Sequence, residues 1–556
     1  MWAGAEIRLQ IDGVKDRIEQ NVRAYAGDPP TRESAESVRA YSNRVRGEAR
    51  RALESLGYYN ADIRVERSHE EDTWTVRVRI DAGEPVRVRK LHVEIRGEGS
   101  DDKWFRQVVE QIPLREGGPF DHGRYESSKN ALRTVALNRG YFDFSYPVHR
   151  VEVDAEANTA DVNLVFDTGP RYTFGNVTFS RTPFNDQLLR RMQTYQAGDP
   201  YSADLVGEFN RRLLDSGYFA DVRVNTDREQ ASDRRIPTRV DLTPREPNSI
   251  GLGAGYSTDE GPRGRISWDR HYLNARGHSL HSEIRVSRVR QNAASRYVIP
   301  LRDPINDQLE FNVGWEREDY DDTFSQRLTA GVQRRQEFDT GWRRTQSLRW
   351  LQERFQQGDD EGKTTLVLPG LAFERTRSRG GNDPYWGDRQ SYSVEVADEH
   401  LFSDLNLARA IASQKWLRRF GERHRGLIRL EVGAIATNDF PNVPSSLRFF
   451  AGGDQSVRGY EYRSLAPRND AGELLGGRYL TTGSVEYDYE FIPKWRFALF
   501  TDAGNAYDDL AEPLKVGSGF GIHWVSPVGP IRLDLAWAVS EPGNPFRFHI
   551  SMGPPL

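Results

Sequence analysis

The sequence predicts two parts: three α+β repeats of order β-α-α-β-β, then an all-β, 16-stranded antiparallel transmembrane barrel. Three observations predict it. A Gly-Tyr pair recurs at Gly57-Tyr58, Gly140-Tyr141 and Gly217-Tyr218, roughly 80 residues apart. About sixteen runs of alternating polarity fill the chain after Asn248. Mean hydropathy is -0.72, and the longest apolar run, residues 366–373, is broken by Pro369 and Gly370, far short of the roughly 18 residues a membrane helix needs. Barrel strands need only about 10 alternating residues each, and these average to a polar hydropathy. A chain of 556 residues exceeds one core. The pattern divides it at 1–84, 85–169, 170–246 and 247–556.

Each Gly-Tyr pair follows an amphipathic run: Ala49, Ala52, Leu53 and Leu56; Leu132, Val135 and Ala136; Leu205, Phe209 and Leu213. Glycine there is the usual left-handed stop of a helix, and the aromatic after it can fold back onto the core. A second marker precedes each of these helices: Gly27-Asp28-Pro29, Gly117-Gly118-Pro119-Phe120 and Gly198-Asp199-Pro200-Tyr201. Strand-like runs after each Gly-Tyr pair, such as 61–66 with 73–80, and one before each helical pair, such as 86–95, complete the repeat. That order builds a three-stranded mixed sheet with two helices on one face and an unpaired edge.

In the C-terminal part the runs are 250–256, 263–271, 280–289, 296–300, 308–318, 323–337, 342–355, 364–376, 390–398, 405–417, 427–437, 478–491, 495–503, 516–525, 531–539 and 546–552. Ile531, Leu533, Leu535 and Trp537 oppose Arg532 and Asp534; Phe546, Phe548 and Ile550 oppose Arg547 and His549. Charge on alternate positions implies a wet interior. The acidic turns at 319–322 and 359–361 read as solvated loops, or as hard-ion or lipopolysaccharide contacts.

A long glycine-rich loop, 452–460, carries Arg458. In the strand after it Glu486, Asp488 and Glu490 share one face, and in the next strand Arg496 and Asp502 oppose Trp495, Phe497 and Leu499. Arg458 could enter a lumen lined by that acidic face.

Other chemistry is excluded by what the sequence lacks. There is no cysteine, hence no disulfide or thiolate site. Net charge is -5 with both signs heavily used, which does not mark a nucleic-acid binder. The eleven histidines show no metal-ligand spacing, no Gly-x-Ser-x-Gly elbow is present, and neither an enzyme nor a cofactor is expected. Gly251, Gly253 and Gly255, like Gly517, Gly519 and Gly521, open no helix and stand on lumen-facing positions, where they relieve crowding or weaken a strand. Residues 1–5 supply no export leader, which an exported chain would need.

The repeat order and its two markers resemble polypeptide-transport-associated (POTRA) domains, and the whole chain resembles the BamA/TamA superfamily of outer-membrane insertases. Val457, Arg458, Gly459 and Tyr460 match its V-R-G-[FY] motif; Phe500, Asp502 and Gly504 match its F-x-D-x-G motif. Three repeats resemble the TamA branch of that superfamily. The resemblance implies insertion of outer-membrane clients such as autotransporters, a TamB-like periplasm-spanning partner, a barrel in outer-membrane lipid and POTRA domains in the periplasm. A two-partner secretion transporter, exporting one dedicated substrate through the lumen, is the alternative; a plain porin would need no repeats.

From these motifs Arg458 is expected inside the barrel, paired with Asp502 and near Glu486, with a charge swap partly tolerated. The repeats are expected to bind extended chains by strand addition, 171–243 facing clients and 6–80 reaching a periplasmic partner. A lateral gate is expected where Ile250, Gly251, Gly253 and Gly255 of the first strand meet Phe546, Phe548 and Ile550 of the last, with pairing ending near Gly553 ahead of Pro554 and Pro555.

Overall fold

The computed structural model describes residues 6–30, 34–70, 73–381, 383–526 and 529–552; the expectations placed on residues 1–5 and 553–555 lie outside them. Contacts divide the chain into two compact units: Met1–Thr178 with Thr194–Asn210 and Val224–Val240, and Phe179–Gln193 and Arg211–Arg223 with Asp241–Leu556.

The first repeat is β1 (Glu6–Asp12), α1 (Asp16–Ala26), α2 (Ala35–Ser55), β2 (Asp62–Glu70) and β3 (Thr73–Asp81). The second is β4 (Arg87–Arg96), α3 (Lys103–Glu110), α4 (His122–Arg139), β5 (Ser145–Asp154) and β6 (Thr159–Asp167). The third is β7 (Thr173–Phe179), α5 (Asp186–Arg190), α6 (Ala203–Asp215), β8 (Phe219–Thr226) and β9 (Arg235–Pro244). The sheet orders are β1-β3-β2, β4-β6-β5 and β7-β9-β8. In the first two repeats the opening strand runs parallel to the central one and the other antiparallel. Val22, Val38, Val45 and Leu53 pack under Val76 and Val78 in the first core. The helices start where a side chain can satisfy the free N–H groups: Ser34 caps α2 and Asp121 caps α4.

The two sequence markers meet in space. Gly57 and Gly140 end α2 and α4 at positive φ (92° and 85°), and their carbonyls accept from Val86 N (2.8 Å) and Tyr172 N (2.9 Å), residues that lead into the next repeat. A Cβ on Gly57 would stand 2.2 Å from Phe120 O, and one on Gly140 2.7 Å from Tyr201 Cβ. The glycine is therefore needed twice, for its backbone angle and for the close approach of the next repeat's marker. Gly217 has nothing within 4 Å of that position, and Tyr218 donates to Gly277 O (2.8 Å).

The markers also cover one sheet edge. Gly118 O accepts from Val88 N (2.9 Å) and Phe120 N donates to Val86 O (2.8 Å); in the third repeat Phe174 N donates to Asp199 O (2.8 Å) and Tyr201 N to Tyr172 O (3.0 Å). The edges of β4 and β7 are thus occupied, whereas no strand pairs with the outer edges of β2, β5 and β8 among the described residues.

Sixteen antiparallel strands form one sheet: β10 (Asn248–Ser257), β11 (Gly261–Arg270), β12 (Ser279–Ser287), β13 (Arg290–Pro300), β14 (Asp307–Tyr320), β15 (Thr323–Glu337), β16 (Arg343–Gln357), β17 (Asp360–Arg379), β18 (Trp386–Ala397), β19 (Leu407–Phe420), β20 (His424–Thr437), β21 (Tyr479–Ile492), β22 (Trp495–Tyr507), β23 (Lys515–Ser526), β24 (Gly529–Ala538) and β25 (Phe546–Met552). Each pairs with its neighbour in chain order, and the sheet curls into a nearly closed barrel. Ile250, Ile266, Val313, Val485, Leu499 and Phe546 stand exposed on its outer face, the apolar belt a bilayer requires. Among the described residues no helix is long and apolar enough to cross a membrane.

One wall of the interior departs from the expected wet lumen. Leu351, Leu366 and Leu368 of β16 and β17 point inward and pack with Val443, Leu447, Phe449 and Val457 of the 438–478 loop. Alternation cannot reveal this, because lumen-facing leucines leave the same period-2 pattern as lipid-facing ones.

Candidate functional site: the lumen loop and the strand seam

The loop is pinned first at the wall of β16 and β17. Arg448, buried, donates from Nη1 to Asp360 Oδ2 (2.6 Å) and Leu475 O (2.8 Å), from Nη2 to Pro441 O (2.6 Å) and from Nε to Val443 O (2.9 Å). Glu353 Oε1 accepts from Ser445 Oγ (3.0 Å) and Ser446 N (3.1 Å), and Asp322 Oδ2 from Leu474 N (3.1 Å). Asp322 and Asp360 of the acidic turns therefore anchor this loop, where free solvation was expected.

Farther along, Arg458 crosses to the opposite wall. Its Nε and Nη2 make a two-pronged pair with Asp502 (2.7 and 2.9 Å), Nη1 reaches Glu486 Oε2 (2.7 Å) and Asp534 Oδ2 (3.2 Å), and Nη2 also meets Ser484 Oγ (3.3 Å). All five N–H groups of the guanidinium therefore have acceptors. The Arg458 backbone N–H adds a bond to Asp502 Oδ2 (3.0 Å), and the side chain lies over the Phe500 ring at 3.4 Å. Arg458 is 2% exposed; burial works against its charge, but Asp502, Glu486 and Asp534 outweigh that and raise its pKa.

The rest of the motif makes this approach possible. Val457 is fully buried in the loop's apolar cluster. Gly459 sits at φ 96° with Trp537 backbone atoms 2.8 Å from where a Cβ would be, and its N–H donates to His549 Nε2 (3.0 Å). Tyr460 Oη donates to Val516 O (3.3 Å). Opposite, a Cβ on Gly517 would stand 1.8 Å from Arg458 O, and one on Gly519 2.1 Å from Leu535 O. Gly504 meets Thr481 O and Thr482 of the neighbouring strand. Ser484, Asp534, His549 and Gly517 were not singled out as site residues; the signal was their inward position on β21, β24, β25 and β23.

At the loop's tip Asp454 N donates to Asp259 Oδ2 (3.0 Å) in the β10–β11 turn. Burial, and then the Asp259 carboxylate, push the Asp454 carboxyl up to about 8. Beside it lies a polar cavity of about 730 Å³, lined by Glu260, Arg263, Arg290, Glu316 and Glu318 among others.

The seam lies between β10 and β25, the two ends of the sheet order. No ladder joins them among the described residues. Thr258 N donates to Ile550 O (3.4 Å) and Ile550 N to Thr258 Oγ1 (3.5 Å). These bonds fall just beyond the expected first-strand span, 250–256. Within that span Ile250 and Leu252 are 72% and 80% exposed. What Cβ atoms on Gly251 and Gly255 would meet are the Ser267 and Arg263 side chains, not the lumen loop.

Residues 273–554, more than half of the chain, match the Omp85 superfamily domain; residues 8–82 match the "POTRA domain TamA domain 1", and 88–169 and 172–244 the POTRA model described as "Surface antigen variable number repeat". The chain is 23% identical over 526 residues to outer membrane protein assembly factor BamA of Nitratidesulfovibrio vulgaris, covering 89% of this chain and 66% of that one. It is 22% identical to BamA of Neorickettsia risticii, covering 78% and 61%. The chain thus spans just under two thirds of the length of these relatives. The structure of Haemophilus ducreyi BamA lacking POTRA domains 1–3 superposes with a TM-score of 0.71 at 16% identity, over 84% of this chain and 99% of that one, which shows a common fold. The barrel is an outer-membrane barrel with its POTRA repeats in the periplasm, and the chain belongs to the Omp85 superfamily.

Proposed function

We propose that this chain assembles β-barrel clients, autotransporters among them, into the outer membrane, by strand addition at the POTRA edges and lateral opening of the β10/β25 seam. The observation that carries this reading is the seam itself: fifteen neighbouring strand pairs are zipped by ladders, whereas β10 and β25 share the two long bonds at Thr258 and Ile550. Opening any other pair in lipid would strand a row of backbone groups at several kcal/mol each. Opening this one exposes few, and a client strand would replace them. The work is backbone pairing and needs no bond chemistry or cofactor.

The match of residues 8–82 to the first POTRA domain of TamA favours the TamA branch, and with it a TamB-like periplasm-spanning partner docking on the first repeat. The open edges of β5 and β8 are the places for client strands.

The chain has no native cysteine, so Thr258→Cys with Ile550→Cys forms one defined disulfide across the seam. In proteoliposomes, the oxidised protein is expected to stop assembling an autotransporter barrel, and reductant to restore it. Assembly at an unchanged rate with the seam locked would overturn the lateral gate. Release of one soluble partner through the locked barrel would instead identify a two-partner secretion transporter.

A further inference from the structure

We propose that Glu486, Asp488 and His523 form a site for one divalent cation of borderline hardness, with zinc as the type ion. The three side chains come from β21 and β23, on either side of β22, and each is at most 3% exposed. One ligand atom from each lies within 4.8 Å of the others. A buried cluster of this kind is not by itself a site. Here a second observation points to a ligand: Glu486 Oε1, Asp488 Oδ1 and His523 Nδ1 are all buried with no hydrogen-bond partner among the described residues.

The remaining atoms of the same three groups are all engaged. Glu486 Oε2 accepts from Arg458 Nη1 (2.7 Å), Asp488 Oδ2 from Arg425 Nε (2.7 Å), and His523 Nε2 lies 2.9 Å from Asp534 Oδ1. A histidine whose far nitrogen donates to a carboxylate turns the lone pair of its near nitrogen inward, which is how ligating imidazoles are commonly oriented. His523 Nδ1 stands 3.5 Å from Asp488 Oδ1, an ion pair when the imidazole is protonated and two converging electron pairs when it is neutral. Protonating the imidazole supplies one N–H, which can serve Asp488 Oδ1 or Glu486 Oε1 but not both well. One cation coordinated by all three satisfies the set, with water completing its shell. One nitrogen and two carboxylate oxygens suit zinc; the absence of thiolate disfavours softer metals, and the imidazole disfavours calcium.

The site would tie β21 to β23 directly beneath Arg458, sharing the Glu486 carboxylate with it. Loop anchoring and metal binding are therefore coupled.

The test uses the full chain in detergent, without a polyhistidine tag, stripped by a chelator and titrated with zinc against a chromophoric competitor. One equivalent per chain is expected, weakened at least tenfold in His523→Gln and in Asp488→Asn, and unchanged in His424→Gln on the exposed face of β20. Heat-modifiable mobility in gels checks that each variant is folded. Should the variants not fold, cobalt bound to the unaltered protein must show one imidazole among oxygen ligands by X-ray absorption. Absence of stoichiometric binding, full retention in folded His523→Gln, or a cobalt shell without imidazole overturns the site, and water or a proton then fills it.

Discussion

The wall that receives the loop and the wall that forms the seam belong to one sheet, yet they are held in opposite ways. Across β21, β22 and β24 a single guanidinium is fixed by three carboxylates and a hydroxyl, with glycines cut away to let the backbone in. At β10 and β25 two long bonds join strands whose neighbouring apolar side chains face outward. The difference teaches where this barrel can yield: the loop wall is built from interactions that fail badly when one member is lost, and the seam from interactions whose loss is small.

Breaking the first wall should have the largest effect. Arg458→Ala leaves Asp502, Glu486 and Asp534 buried without their partner and is expected to destabilise the barrel by about 3–5 kcal/mol, read as a fall in the unfolding midpoint. The charge swap with Asp502, expected to restore function in part, should fail, because an aspartate at 458 would still face Glu486 and Asp534. Gly517→Ala comes next. Its Cβ would collide with Arg458 O, a backbone atom that cannot swing aside, at about 1–3 kcal/mol. The matching change at the seam, Gly255→Ala, meets only the flexible Arg263 side chain at 2.9 Å and should stay within about 0.5 kcal/mol. Equal losses in the two alanine variants would erase the contrast.

A pH effect should appear where the loop tip meets the β10–β11 turn. Burial, then Asp259 and more weakly Glu260, raise the Asp454 carboxyl pKa, and Arg429 lowers it. Its contribution is thus fully present below the ordinary carboxylate value near 3.9 and is lost as pH rises toward about 8. Maleimide labelling of Ser456→Cys should accelerate across that window, and Asp454→Asn should flatten the acceleration; the ratio of the two rates cancels the thiol's own titration.

Much of this was legible in the sequence for a plain reason. Alternation assigns each residue to a face, so all sixteen strands, and the inward aim of Glu486 and Asp502, could be read directly. Alternation does not give height. Whether Asp534 or His549 lies level with Arg458 depends on how each strand is staggered against the last, and that shear is set by pairings across the whole sheet. The Gly-Tyr pairs were readable as helix stops because a cap is local; their meeting with Phe120 and Tyr201 of the next repeat was not, because it is a contact between repeats. Asp322 and Asp360 looked like solvated turn residues because their partners, Leu474 and Arg448, lie far along the chain.

The five-fold engagement of Arg458 also has a kinetic meaning. Its bonds reach three strands from one rigid fork, so they cannot be released one at a time: any withdrawal of the loop must break them nearly together. The loop is therefore a long-lived staple, with a dwell time far exceeding that of the seam. The last strand touches it through one neutral bond, Gly459 N to His549, and one half-exposed ion pair, Arg547 with Glu461 (3.4 Å). On the proposed lateral opening, β25 would swing away from a stationary loop, many times for each time the loop itself lets go.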